Sequence, residues 1–149
     1  MKTNKATEIL EALQNDSKND GDGLGKSELA RIIYGNFHKS TAEFHEKKIA
    51  QRMGQVCELA AQNGITVYAV KKSMNKDTPE IKSRIVRWRI YKSGVLGMDK
   101  ELADAIISKA KTASSRTNSF KQMLNIGKNN KVISEEKYLE LLESVRPSN

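Results

Sequence analysis

The stretch Gly21-Asp22-Gly23-Leu24-Gly25-Lys26-Ser27 has the residue types of a phosphate-binding loop, whose backbone N–H groups and lysine cradle a triphosphate. The spacing does not fit, because counting back from Gly25 places Asp20 where the first glycine belongs. A helical rather than a strand pattern precedes the loop, and Asp20 and Asp22 would repel phosphate. The same residues approach a calcium loop, with Asp16, Asp20 and Gly21 at positions 1, 5 and 6 of a twelve-residue EF-hand. Position 3 is then Lys18 and position 12 Ser27, which removes two oxygen ligands and inserts a cation. The plainer reading is a loop leading into a glycine-capped helix. His38 and His45 are the only histidines and Cys57 the only cysteine, too few for a closed zinc site without several carboxylates. His38 falls in a turn and His45 at the buried edge of a helix, while Cys57 sits mid-helix near an apolar face, a packing position more often than a nucleophile's. Paired carboxylates are interleaved with lysines, as on solvated helix faces. The expectation is therefore a protein without catalytic residues, metal, cofactor or small-molecule substrate.

Charge points to a different chemistry. The 149 residues carry 26 Lys and Arg against 18 Asp and Glu, a net charge of +8, which favours polyanionic partners such as nucleic acid. The excess is uneven. Residues 1–25 sum to −2, 26–64 to +2, 65–100 to +6 and 101–149 to +2. The basic segment holds Lys71, Lys72, Lys76, Lys82, Arg84, Arg87, Arg89 and Lys92, and an acid-free stretch from Ser108 to Lys131 adds Lys109, Lys111, Arg116, Lys121, Lys128 and Lys131. With one cysteine no internal disulfide can form, no apolar run reaches the ~18 residues of a membrane helix, and Met1 to Glu11 is charged where a signal peptide is apolar. These features predict a soluble, cytoplasmic protein.

The elements that must position these residues follow from periodicity. Ala6, Ile9, Leu10 and Leu13 recur at i, i+3, i+4 and i+7 and predict a helix from about Asn4 to Gln14. Leu24, Gly25 and Glu28 fit the entry of a short second helix that carries Leu29, Ala30, Ile32 and Ile33 and ends at Gly35. Ser40 and Glu43 predict the capping box of a third, Thr41 to Gln62, stopped at Asn63-Gly64. The period then becomes two. Ile65 to Lys71 and Arg84 to Lys92 read as strands of a hairpin with a long polar tip containing Pro79. Beyond a glycine-containing joint at Ser93 to Met98, Asp99 is expected to cap a fourth helix (Leu102, Ala103, Ile106, Ile107, Ala110). Phe120, Met123 and Leu124 predict a fifth ending at Gly127. Ser134 is expected to cap a sixth, with Tyr138, Leu141, Leu142 and Val145 on one face. Leu, Ile, Val and Phe number 33, enough for a modest core.

Helix, helix, longer helix and basic hairpin is the order of winged helix-turn-helix domains. Leu24 to Gly35, Thr41 to Gly64 and the hairpin to Tyr91 resemble that family over roughly the first 92 residues. The expected fold is α+β, mostly α: a winged helix-turn-helix domain at 4–93 followed by a helical C-terminal segment at 99–146 that dimerises it, packs on it or extends the contact. The resemblance implies a third helix in the DNA major groove and a wing on the backbone or minor groove. Rotating about 100° per residue puts Ala42, Ile49, Met53, Val56 and Ala60 on the core side of that helix, with Phe44, Lys47, Gln51 and Gln55 facing away and Lys48 and Arg52 on a flank. Amides and cations are the groups that read base edges. An ordinary solvated face is the alternative, to which Glu43 and Glu58 give weight. The expected DNA-binding residues are Lys47, Lys48, Gln51, Arg52, Gln55, Lys71, Lys72, Lys76, Lys82, Arg84 and Arg87, and the expected activity is sequence-preferring binding of double-stranded DNA, as in a transcriptional regulator or a replication or partition accessory protein. Two rivals stand beside it. One is an RNA-binding module; the other is a protein-interaction adaptor, which Tyr68 and Trp88 on exposed hairpin faces would favour.

Overall fold

Asn4 starts α1 (Lys5–Lys18) by accepting a hydrogen bond from the Ala6 N–H at 3.0 Å. The computed structural model describes residues 4–35, 38–72, 84–112 and 117–145. Ala6, Ile9, Leu10 and Leu13 are buried, as their spacing predicts, but the helix runs one turn past Gln14. That polar turn anchors the loop behind it. The Asp16 carbonyl accepts the Gly21 N–H at 2.8 Å and its carboxylate the Gly23 N–H at 2.9 Å. The acidic glycine-rich stretch is thus a folded connector. Gly23 has φ +104°, and a Cβ there would lie 2.6 Å from the Trp88 carbonyl oxygen, so only glycine allows the close approach that follows.

Leu24 and Trp88 exchange two backbone hydrogen bonds, 2.9 and 2.8 Å, which adds a single rung to the sheet beyond the hairpin. Helix α2 (Lys26–Tyr34) enters through Gly25, whose N–H donates to Glu28 Oε1 at 3.2 Å, and ends at Gly35 with φ 73°. Leu29 and Ala30 are buried, whereas Ile32 is exposed. The Ser40 capping box does not form. His38 Nδ1 accepts the Ser40 N–H at 3.2 Å and lies 2.9 Å from its hydroxyl, which opens a 3-10 turn, Lys39–Thr41, ahead of α3 (Ala42–Gln62). Ile49, Met53, Val56 and Ala60 of α3 are buried, and Ala42 is half-buried.

Strands β1 (Val67–Lys72) and β2 (Arg84–Ile90) pair antiparallel, with Val67 opposite Ile90 and Ala69 opposite Trp88, and a register shift between Val70 and Lys71. The expected tip, including Lys76, Pro79 and Lys82, lies outside the described residues. Alternation gives the hairpin two different faces. Val67, Trp88, Ala69 and Ile90 join α1, α2 and α3 in one core. Tyr68, Val70 and Tyr91 join a second core built by α4 (Met98–Thr112), α5 (Asn118–Asn129) and α6 (Glu135–Ser144). Neither Tyr68 (2% exposed) nor Trp88 (7%) lies on an open face, because both sides of the hairpin are covered.

Asp99 does not cap α4. It lies in the first turn, where its carboxylate accepts the Tyr91 hydroxyl at 2.6 Å; burial, and then this hydrogen bond, raise the Tyr91 phenol to about 12. Gly127 does not end α5 either. A Cβ there would sit 2.8 Å from Ile106 Cδ1, so the glycine lets α4 and α5 approach closely while the helix continues to Asn129. Ser134 caps α6 as expected, accepting the Lys137 N–H at 3.1 Å. The fold is α+β and mostly helical, and among the described residues no helix is long and apolar enough to cross a membrane.

Two glycines make the packing testable. Gly23→Ala should destabilise the protein by about 2 kcal/mol through backbone strain and the Trp88 clash. Gly54→Ala, where a Cβ meets no atom within 4 Å, should stabilise α3 by about 0.5–1 kcal/mol. Denaturant midpoints measure both, and equal midpoints would refute this account of the Leu24 rung.

Candidate nucleic-acid interface

Helix α3 divides cleanly. With Ile49, Met53, Val56 and Ala60 turned inward, Lys47, Lys48, Gln51, Arg52 and Gln55 are all exposed. Arg52 Nη1 donates to Gln55 Oε1 at 3.3 Å, which aligns a cation and an amide on one strip. At the start of the helix Phe44 is 58% exposed. His45 stacks on Tyr34 of α2 with ring centroids 4.8 Å apart and meets the edge of Phe44 at 5.6 Å. Lys48 Nζ lies 4.6 Å from the Phe44 centroid and Lys5 Nζ 5.3 Å from that of Tyr34. Sequence reasoning turned Phe44 outward but missed this aromatic cluster. The one available signal was the aromatic at the end of α2 followed by two more in the first turn of α3.

Of the two acids that weighed against this face, Glu58 has a structural task. Its Oε1 accepts the backbone N–H of Ser119 at 2.9 Å, at the entrance of α5. Burial alone would raise its carboxyl, but the hydrogen bonds from Ser119 and Thr117 and the charge of Lys109 outweigh burial and lower it. Glu43 remains exposed.

The hairpin behaves differently from expectation. Arg87 and Arg89 project onto the side that α4 covers and share one carboxylate: Arg87 Nη2 lies 3.1 Å from Glu101 Oε2 and Arg89 Nη1 2.7 Å from Glu101 Oε1. The Tyr68 hydroxyl donates to the same Oε1 at 2.9 Å. Burial, and then that contact, push the Tyr68 phenol far above its ordinary value. Arg87 Nε also donates to the Asp22 carbonyl, and Arg89 reaches Asp22 Oδ1 at 3.9 Å. Arg87 is thus half-buried and paired with Glu101, on the side of the strand that period-two alternation aims at α4. Lys92 is tied to the last turn of α1 through the Ser17 carbonyl and to the loop that follows through Asp20 (3.7 Å).

Lys71 stays exposed, donating to Ser108 Oγ at 2.8 Å. Lys72 and Arg84 lie at facing ends of the strands, while Lys76 and Lys82 fall outside the described residues. In the second basic stretch Lys111, Lys121 and Lys131 are exposed, Lys109 bonds Ser119 Oγ at 2.8 Å and Lys128 covers the Tyr138 ring at 4.7 Å; Arg116 lies outside the described residues.

Among the described residues no group of three or more His, Cys, Asp and Glu could hold a metal ion. Burial raises the Cys57 thiol, the opposite of what a nucleophilic cysteine needs. No known protein family, curated protein or solved structure matches the chain.

The Glu58 contact carries a pH signature. Its folded carboxyl lies below the ordinary 4.5, so the stability it confers is present above that pH and is lost as pH falls through the folded value. Glu58→Gln should therefore flatten the acid limb of the melting-temperature profile below pH 4.5 relative to wild type. Parallel profiles would show that Ser119 does not depend on the charged form.

Proposed function

We propose that this chain is a non-enzymatic, double-stranded DNA-binding protein of the winged helix-turn-helix kind, with the outer face of α3 in the major groove. The observation that carries the reading is the strip Lys47, Lys48, Gln51, Arg52 and Gln55, exposed on a helix whose other side is locked into the core. Such a helix presents amides and cations on a rigid support, the arrangement that base-edge readout needs. The packing of α2 against α3 and the hairpin that follows them support the same reading. The ligand set differs from the expected one in a single described residue: Arg87 leaves it, while Lys71 remains with Lys72, Lys76, Lys82 and Arg84 as backbone contacts.

The C-terminal helices use their apolar stripe within the chain. Leu141 and Val145 are buried and Tyr138 and Leu142 pack against the same core, which leaves Leu139 as the exposed apolar residue of α6 through which two copies would associate. RNA binding is the second reading, favoured by the exposed Phe44 beside Lys48, a pairing suited to stacking on unpaired bases. The adaptor reading loses its motive, since Tyr68 and Trp88 are buried.

If four to six cations meet phosphates, log affinity for duplex DNA falls with log salt at a slope of roughly −3.6 to −5.4. Lys71→Ala should lower the magnitude of that slope by about 0.9, whereas Arg87→Ala should leave it unchanged and lower the melting temperature instead. A salt-independent affinity, or a weaker slope in Arg87→Ala, would contradict this division of labour.

Gln51→Ala separates reading from positioning. The variant removes no core contact, so it should melt like wild type and keep non-specific binding, yet lose about 1–3 kcal/mol of preference for a site selected from genomic fragments. Competition of that duplex with RNA is the companion measurement. Unchanged preference in Gln51→Ala, Lys47→Ala and Gln55→Ala together, with RNA the better competitor, would move the RNA reading ahead.

A further inference from the structure

A cavity of about 660 Å3 opens between α3, the β1 edge and α4. That volume is within the range of small-molecule sites, about 300–1,000 Å3. Its apolar lining comes from Met53 and Cys57 of α3, Val70 of β1, Ala105 of α4 and Met123 of α5, elements that belong to both cores.

Two independent features indicate an occupant. The first is the edge of β1 that no described strand pairs. Trp88 exchanges both backbone hydrogen bonds with Leu24, so its polar groups point away from β1. In an antiparallel ladder the facing residue does likewise, which turns the N–H and C=O of Ala69 away from β2 and toward this cavity. The Val67 carbonyl points the same way, 3.9 Å from Cys57 Sγ. Only these two positions precede the register shift at Val70/Lys71, too short an edge for an added peptide strand but enough to bond one small molecule.

The second feature is Gly54. It sits in the middle of α3, where glycine weakens a helix, and among the described residues no neighbouring atom lies within 4 Å of its missing Cβ. Among the described residues no packing partner requires a glycine there. Its position on the cavity wall keeps that wall recessed.

Charge selects the ligand class. Lys71, Lys100 and Lys109 line the cavity against Glu101 and Asp104, and Glu101 is already held by Arg87 and Arg89. We infer that this groove binds a small apolar carboxylate, its hydrocarbon body against Met53, Val70 and Met123 and its carboxylate at Lys71 and Lys100, with the Ala69 N–H as a further donor. The inference stands apart from DNA binding, because the ligand is detected directly.

Trp88 is the only tryptophan and lines the cavity, so it reports occupancy. Titration with decanoate, kept below its micelle concentration, should change Trp88 fluorescence saturably and bind roughly tenfold more tightly than decanol, as one charge-assisted hydrogen bond would give. Lys71→Ala with Lys100→Ala should bring the two probes within about twofold of each other. Gly54→Leu should fill the groove and abolish decanoate binding while melting cooperatively. In the wild-type protein, methyl NMR signals of Met53 and Met123 should shift with decanoate while that of Met98, outside the cavity, stays fixed. The methyl measurement decides the matter even if Gly54→Leu does not fold. Absence of saturable binding, equal affinity for decanoate and decanol, or shifts confined to Met98 would overturn the inference.

Discussion

The rest of the structure depends on the Glu101 carboxylate. It accepts Arg87, Arg89 and the Tyr68 hydroxyl at once, all on the side of the hairpin that α4 covers. The buried guanidinium of Arg89 and the half-buried one of Arg87 would be costly to cover without a counter-charge, and one carboxylate with hydrogen bonds to both makes this tolerable. The same contact joins the C-terminal helices to the hairpin. Asp22 adds a weaker hold from the α1–α2 loop, so one pair of arginines links three distant parts of the chain.

This arrangement makes the hairpin a layer shared by two cores. Trp88 and Val67 belong to the first and Tyr68 to the second. Gly23 lets the loop approach Trp88 closely enough for the Leu24 rung, and Gly127 does the same for α4 against α5. At Gly23 a Cβ would collide with the Trp88 backbone, and at Gly127 with the Ile106 side chain.

The distribution of charge follows from that layering. Arg87 and Arg89 on the covered strand meet Glu101, whereas among the described residues no ion pair holds Lys47, Lys48 or Arg52 of α3, which stay in solvent. The DNA-binding reading therefore rests more on the helix and less on the strands of the wing than the net charge of the hairpin suggested. The groove beside β1 is the other consequence of covering a two-stranded sheet from both sides. The helices close its faces, and among the described residues no strand pairs with the β1 edge.

Local features were legible in the sequence because they depend on neighbours within a turn or a strand. The stripes of α1, α3 and α6, the Ser134 cap, the Gly35 and Gly64 stops and the hairpin itself all follow from period and cap chemistry. Alternation also said which hairpin residues share a face. It could not say what would cover each face, since Asp22 and Glu101 stand 65 and 14 residues from Arg87. The same limit hid Gly127, whose neighbours Ile106 and Ile133 lie on either side of it in the chain, and the Tyr34, Phe44 and His45 cluster, which forms only when α2 meets α3. The sequence by itself determined the elements and their apolar sides; tertiary packing decided which cations stayed in solvent, because burial of a charge depends on a counter-charge delivered from elsewhere in the chain.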